Sequence, residues 1–491
     1  MSRPRNLFPN FLTACPLITG ALAVAILSAA EAPAETVKPN ILFIMVDDLG
    51  KEWISCYGGE EMKTPHLDGL AAGGMRFTHA YSMPQCTPTR ATLLTGQYPW
   101  RNGWCNHWDV PRWGAGCHFD WKHNVTFARV MKTAGYVCAA AGKWQINDFR
   151  VHPDAMQQHG FDEWCMWTGY ESGNPPSANR YWDPYIHTND GSKTCKGRFG
   201  TDVFVEFLVD FMTRHKDRPM MLYFPMALTH SPLTNTPLDP DASGNVERHK
   251  AMVRYTDQAV GQLVAALDEL KIRDRTIVIF STDNGSGGGL KARMDGRMVS
   301  GGKAKLSENG VCEPFIVNCP GLVPAGVVTD ALTDFTDLLP TFAELGGAEL
   351  PGDVVIDGKS IAKVILGQAD DGPREWIMAL GHGPARLDEQ GVRPKQDFTD
   401  RVVRDKRFKL WVLDGKSAKL FDLQADPAEE NNLIDGTDPE VVAARKRLES
   451  VVASCFPQDA RPQYDPAPPQ PWDQKVSAAK GEKKDERRKV K

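Results

Sequence analysis

Asn40-Ile41-Leu42-Phe43-Ile44-Met45-Val46-Asp47-Asp48-Leu49-Gly50 sets an unbroken apolar run of strand length against two adjacent carboxylates. A strand with one solvated face alternates apolar and polar side chains, whereas one covered on both faces is apolar throughout. Ile41–Val46 is therefore expected as a central parallel strand. Asp47 and Asp48 follow just past its end, where two carboxylates are costly unless something positive lies between them. A hard divalent cation, Ca²⁺ or Mg²⁺, takes oxygen ligands of this kind. A solvated turn with an aspartate helix cap is the plainer reading of the same residues.

Three further apolar runs repeat the arrangement. Tyr136–Ala141 precedes Gly142-Lys143-Trp144-Gln145, Met220–Ala227 precedes His230-Ser231-Pro232, and Thr276–Thr282 precedes Asp283-Asn284-Gly285. Phe127–Ala134 and Tyr255–Leu270 carry apolar residues at helical spacing, and Thr64–Ala71 reads as a capped helix. Strands alternating with helices predict an α/β fold around a mostly parallel sheet. Ligands of open sheets of this type bind beyond the carboxyl ends of the strands, and there all four runs release a polar side chain. Gly301-Gly302-Lys303 then opens a glycine-rich loop that leads to another short strand, Pro314–Val317, and Thr336–Phe342 starts a closing helix.

Cys86-Thr87-Pro88-Thr89-Arg90 lies within the run Met83–Gly96. Pro88 suits the start of a helix that Ala91–Leu94 continues, which puts Cys86 at or just before the N-terminus. Unpaired N–H groups and the helix dipole make that position suited to an anion. For the cysteine alone, a disulfide in an exported protein is the competing reading.

At 491 residues the chain is long enough for two domains and a large core. A net charge of −5 and 24% charged residues give no basic surface for nucleic acid or membrane, although the C-terminal tail is locally basic. Arg3 and Arg5, an apolar run from Phe11 to about Ala30, and Ala32-Pro33-Ala34 read as a signal peptide over residues 1–34, which predicts export to the periplasm or beyond. No other apolar run is long enough to span a bilayer. Of 11 cysteines, those at 56, 86, 105, 117, 138, 165, 195, 312, 319 and 455 follow the leader, with no CxxC pair for a zinc ribbon.

The loop Trp100–Trp121 holds Trp104, His107, Trp108, Trp113 and His118. Its aromatics suit either stacking on sugar rings or the core of the loop. Past Gly367, Arg401–Leu413 and Lys419–Leu423 read as alternating strands around an Asp414-Gly415 hairpin turn, followed by a charged helix over Pro439–Cys455. The expected organisation is a catalytic domain over 38–372 and a C-terminal antiparallel subdomain over 373–456. Residues 457–491, proline-rich and then charged, are expected to be a disordered tail.

NILFIMVDDLG, CTPTRATLLTG, AGKWQ, THSPL, VIFSTDNG, GGKAKLSENGVCEPFIV and LFDLQADPAEENNL together resemble the type I sulfatases from Lys38 to Cys455. The resemblance implies an alkaline-phosphatase-like α/β fold, a large mixed and mostly parallel sheet with helices on both faces. It also implies a smaller C-terminal domain with a four-stranded antiparallel sheet. A maturation enzyme of that family oxidises the motif cysteine to formylglycine, whose hydrated aldehyde is the nucleophile. Carried over by position, Asp47, Asp48, Asp283 and Asn284 would bind one divalent ion, usually Ca²⁺. Cys86 would face it with Arg90 in support, and Lys143, His230 and Lys303 would hold the sulfate.

The chemistry is consistent with the residues. A sulfate ester needs an oxygen nucleophile at sulfur, cations on its oxygens and a proton for the departing alcohol. One hydroxyl of the aldehyde hydrate forms a covalent sulfate ester, and loss of a proton from the other then expels sulfate; serine lacks that second hydroxyl. Two positions depart from the family pattern. Gln145 stands where a histidine is common, and an amide cannot take a proton; the alternatives are another residue in its place, with His107 and Asp148 as candidates, or water, or a different course of the collapse step in this subfamily. Cys312 stands where an arginine is usual. Gln145 and His107 are also candidate substrate contacts, as is His382 from the C-terminal part. The alternatives are a phosphoester hydrolase of the same superfamily and a sulfated-glycan-binding relative without turnover.

Overall fold

The run Asn40–Val46 forms β1, buried along its whole length, in a computed structural model that describes residues 38–108, 117–381, 383–388 and 391–473. The signal peptide, Trp113, His382 and the charged segment 474–491 lie outside the described residues. In chain order the other strands of the main sheet are β2 (Met75–Phe77), β3 (Val137–Lys143), β4 (Glu163–Trp167), β5 (Tyr185–Thr188) and β6 (Gly191–Thr194). They continue with β7 (Met220–Pro225), β8 (Thr276–Thr282), β9 (Phe315–Asn318) and β10 (Val327–Thr329). The ten strands run in the order β10-β2-β9-β8-β1-β7-β3-β4-β5-β6. The centre, β8-β1-β7-β3-β4, is parallel, while β9 runs antiparallel beside β8, as do β5 and β6 at the far edge.

Side chains of β1 alternate between two cores. Ile41, Phe43 and Met45 meet α2 (Cys86–Thr95), α3 (Phe127–Thr133) and α6 (Leu338–Gly346) through residues such as Leu94, Val130 and Phe342. Leu42, Ile44 and Val46 face α1 (Pro65–Ala72), α4 (Gly200–His215) and α5 (Asn245–Glu269), where Leu67, Leu208 and Val260 cover them. Helices on both faces explain the absence of alternation in β1. This is the mixed α/β architecture expected from the sequence.

A second sheet, β11 (Ile377–Leu380), β12 (Arg401–Arg404), β13 (Phe408–Leu413) and β14 (Lys416–Asp422), is antiparallel throughout and is covered by α7 (Pro439–Ala453). The run Arg401–Leu413 is two strands rather than one. Asp405 breaks it, its carboxylate accepting from the N–H groups of Arg407 (2.8 Å) and Phe408 (2.6 Å). Asp414 and Gly415 make the hairpin turn with φ of +48° and +76°.

Residues 457–473 correct the expected disordered tail over that stretch. Ala460 N–H donates to the Trp100 carbonyl, Asp459 pairs with buried Arg401 at 2.6 Å, and Asp465 N–H donates to Asp120. Arg150 lies 4.0 Å from the centroid of the Trp472 ring. The partners lie far away in sequence, so local composition could not announce them. None of the ten cysteines from Cys56 to Cys455 is disulfide-bonded. Among the described residues no helix is long and apolar enough to cross a membrane.

Candidate active site

Parallel strands β1, β7, β3 and β8 end on the same edge of the sheet, and the polar residues after them converge. Asp283 N–H donates to the Val46 carbonyl and Thr229 N–H to the Asp47 carbonyl, extending the ladder past the strand ends. Asp48 then turns the chain with φ +60° in the left-handed region, which a short polar side chain tolerates. Asn284 Nδ2 donates to Asp48 Oδ1 at 2.8 Å, and Asp48 N–H lies 3.2 Å from Asp283 Oδ1. Asp47, Asp48, Asp283 and Asn284 are all buried.

Helix α2 brings Cys86 to this cluster as its first residue, one turn ahead of Arg90. Thr89 pins the helix in place: its hydroxyl lies 2.7 Å from the Asp283 carbonyl and 3.1 Å from the Met83 carbonyl. Arg90 pairs with Asp283 at 3.0 Å and donates to the Lys143 carbonyl at 2.9 Å. Lys143 in turn pairs with Asp47 at 2.5 Å. It follows Gly142, whose φ of +129° and close approach to the Pro225 carbonyl leave no room for a side chain. Lys303, on the glycine-rich loop, pairs with Asp48 at 2.7 Å, and His230 Nε2 lies 3.8 Å from the same carboxylate.

These charges shift one another. Burial alone would raise the Asp47 carboxyl, yet Lys143, His230, Arg90 and Lys303 hold it well below the usual carboxylate range. Asp283 is pushed the other way, by burial and by the charge of Asp47. Burial pushes His230 down to about 3 in spite of Asp48 and Asp47. Lys303, although burial opposes it, is held above its ordinary value by Asp48, Cys86 and Asp47.

The donor set fits a hard divalent cation. Among the described residues Asp47 Oδ1 and Asn284 Oδ1 have no hydrogen-bond partner, and ligand atoms of Asp47, Asp283 and Cys86 lie within 4.8 Å of one another. Orphaned buried oxygens among carboxylates are what an oxygen-coordinated ion would satisfy.

Two adjoining cavities open over the cluster and share His107 and His230. One, of about 520 Å³, reaches Asp48, Gln85 and Lys303; the other, of about 210 Å³, reaches Lys143, Gln145, Tyr170 and Arg180. Gln145 Nε2 lies 3.0 Å from His107 Nε2, whereas Asp148 is engaged by Arg150 at 2.7 Å. Trp104 and Trp108 are buried against each other, Trp104 also against Phe119, and both belong to the core on the α2 side of the main sheet. Cys312 lies 3.1 Å from Lys51 Nζ, outside this cluster.

The structure thus brings together Asp47, Asp48, Cys86, Arg90, Lys143, Gln145, His107, His230, Asp283, Asn284 and Lys303. Arg180 was not anticipated from the sequence. It lies in the irregular segment between β4 and β5, where no strand end or glycine pair marks it.

Residues 39–348 match the sulfatase family model, and residues 302–454 match the model described as N-sulphoglucosamine sulphohydrolase, C-terminal. The chain is 33% identical over 383 residues to N-acetylgalactosamine-6-sulfatase of Canis lupus familiaris, covering 72% of this chain and 70% of the relative. It is 32% identical over 480 residues to arylsulfatase A of Bos taurus, covering 89% and 91%. Among solved structures, Ps i-CgsB matches with a TM-score of 0.72 at 24% identity, over 87% of this chain and 94% of that one.

Proposed function

The chain belongs to the sulfatase family, within the alkaline-phosphatase-like superfamily, and is a sulfuric ester hydrolase; from that premise we propose that it is an exported, calcium-dependent enzyme that desulfates a saccharide through formylglycine made from Cys86. The observation that carries this reading is the meeting of Cys86 with a buried carboxylate cluster beneath cavities lined by Lys143, Lys303 and His230. The saccharide part rests on the relative named for a sulfated amino sugar. Export rests on the leader-like residues 1–34, and the modification implies a maturation enzyme as a partner.

Asp47, Asp48, Asp283 and Asn284 would hold the cation, with residue 86 facing it. Bound there, it would supply Lewis acidity toward the sulfate oxygens and favour the ionised nucleophile. Formylglycine at position 86 would supply two hydroxyls, one to attack sulfur and one to expel the sulfate afterwards.

The remaining work belongs to ordinary side chains. Arg90, tied to Asp283 and to the Lys143 carbonyl, fixes residue 86 relative to the carboxylates. Lys143 and Lys303 each neutralise a carboxylate on one side and line a cavity on the other, so their ammonium groups meet the charge that grows on sulfate oxygens. His230 stands where the two cavities join. Its Nε2, the ring nitrogen nearer Asp48, would donate a hydrogen bond to the oxygen of the departing alcohol. Gln145 cannot accept a proton, but His107, in contact with it, can. The Thr87 hydroxyl, 3.1 Å from the Trp108 carbonyl, ties the His107 loop to the start of α2.

Mass spectrometry of the tryptic peptide Phe77–Arg90, from protein made with a maturation enzyme, tests the reading. The expected result is an aldehyde in place of the Cys86 thiol, together with hydrolysis of an aryl sulfate in preference to an aryl phosphate. An intact thiol, in a host that matures a control sulfatase, overturns the covalent mechanism.

A further inference from the structure

Among the described residues five arginines are buried: Arg90, Arg180, Arg374, Arg401 and Arg404. Four of them have a carboxylate partner, namely Asp283, Asp337, Asp459 and Glu308 in that order. The buried lysines, Lys143 and Lys409, are paired as well. Arg180 differs. It is 9% exposed, and its guanidinium NH2 donates to the Ser231 carbonyl and lies 3.2 Å from His230 Nδ1. Its Nε has no hydrogen-bond partner among the described residues. A buried guanidinium without a counter-charge is costly, and the cost disappears when an anion completes it.

The cavity beside Arg180 is built for such an anion. Its walls include Lys143, His107 and His230 and no carboxylate. Lys143 occupies the wall next to Asp47, where the scissile sulfate belongs. Arg180 is stacked instead on Trp167, 4.5 Å from the ring centroid, on the same wall as Tyr170, whose side chain is 43% exposed at the rim. Stacking on a buried ring fixes the plane of the fork, which suits the two oxygens of a carboxylate or a sulfate.

We propose that Arg180 forms a second anion subsite, which selects saccharides carrying a carboxylate or a second sulfate in addition to the sulfate ester that is cleaved. This rests on the sulfatase reading of the same cavity and narrows its substrate class to sugars with at least two negative groups. Tyr170 offers the ring face on which such a sugar lies.

The test separates this proposal from the reading beneath it. Turnover of 4-nitrophenyl sulfate by the calcium-loaded, matured protein reports the sulfatase chemistry alone. Binding is measured separately, by calorimetry on the full chain carrying Cys86→Ala with calcium present. The probes are N-acetylglucosamine 6-sulfate and N-acetylgalactosamine 6-sulfate, each compared with its 2-N,6-O-disulfated analogue and with a glucuronate-bearing 6-sulfated disaccharide. At least one dianionic probe is expected to bind tenfold or more tightly than its monosulfated counterpart, and its identity tells carboxylate from second sulfate. Adding Arg180→Gln is expected to cut that preference below threefold, and Arg180→Lys to keep part of it. The proposal is overturned if no dianionic probe is preferred. It is equally overturned if Arg180→Gln weakens mono- and dianionic probes in parallel, because the guanidinium then acts on the scissile group or on the fold.

Discussion

Lys143 has two faces: its ammonium sits 2.5 Å from Asp47 and also lines the smaller cavity. Removing it leaves a buried carboxylate short of a counter-charge and, on the proposed reading, a sulfate oxygen short of a donor. Lys143→Ala is expected to lower kcat/KM on an aryl sulfate by about 10²–10³-fold, the usual cost of one transition-state donor. Steady-state kinetics on matured protein checks this, and unchanged turnover would remove Lys143 from the machinery. Lys143 was legible because a buried apolar run precedes it, as is true of Asp47, His230 and Asp283. Arg180 was not, because a guanidinium in an irregular segment reads as an ordinary surface residue until its surroundings are seen. The same holds for the contact between Gln145 and His107, which joins a strand end to a loop 38 positions away.

At the level of elements, α2 matters more for where it is held than for its own helical propensity. All ten of its residues are buried, and Thr89 fastens its first turn to the Asp283 carbonyl across the sheet edge. Thr89→Val keeps the shape and removes the hydroxyl, leaving that buried carbonyl short of a donor, at a cost of about 1–3 kcal/mol. Equilibrium unfolding in urea is expected to show this loss together with slower turnover. Stability equal to that of the wild type would mean that water replaces the hydroxyl. The central strands could be read in the sequence because burial on both faces leaves an uninterrupted apolar run. The break at Asp405 and the course of residues 457–473 could not. Each depends on single polar contacts, such as Asp459 with Arg401, that no periodicity encodes.

The whole molecule carries an acid liability in its buried histidines. His159 is fully buried, with Nε2 3.0 Å from the Phe119 carbonyl and Nδ1 without a hydrogen-bond partner among the described residues. Burial pushes its pKa from the ordinary 6.5 down to about 3. The unfolded chain therefore takes up a proton near pH 6.5 and the folded chain only near pH 3. The stability this represents is whole above pH 6.5 and drains away as the pH falls toward 3. At pH 5 the loss from His159 alone is on the order of 2 kcal/mol. His118 and His249, each pushed down to about 4 chiefly by burial, act in the same direction. The urea midpoint is expected to fall between pH 7 and pH 5. His159→Gln, which keeps a donor for Phe119, is expected to flatten that fall; an unaltered slope would place the liability elsewhere.

Cys86 has no solvent-exposed surface, and the whole of α2 around it is enclosed. That burial sets a timetable. On the proposed mechanism, the oxidising enzyme would have to reach the thiol while the segment from Met83 to Gly96 is still extended, before α2 closes over the ends of β1 and β8. On the proposed mechanism, a thiol left unconverted at folding would be sealed in place and the molecule would stay inactive. The fraction of active enzyme in any preparation would then be decided in the interval between synthesis and folding, as a race between two rates rather than as an equilibrium.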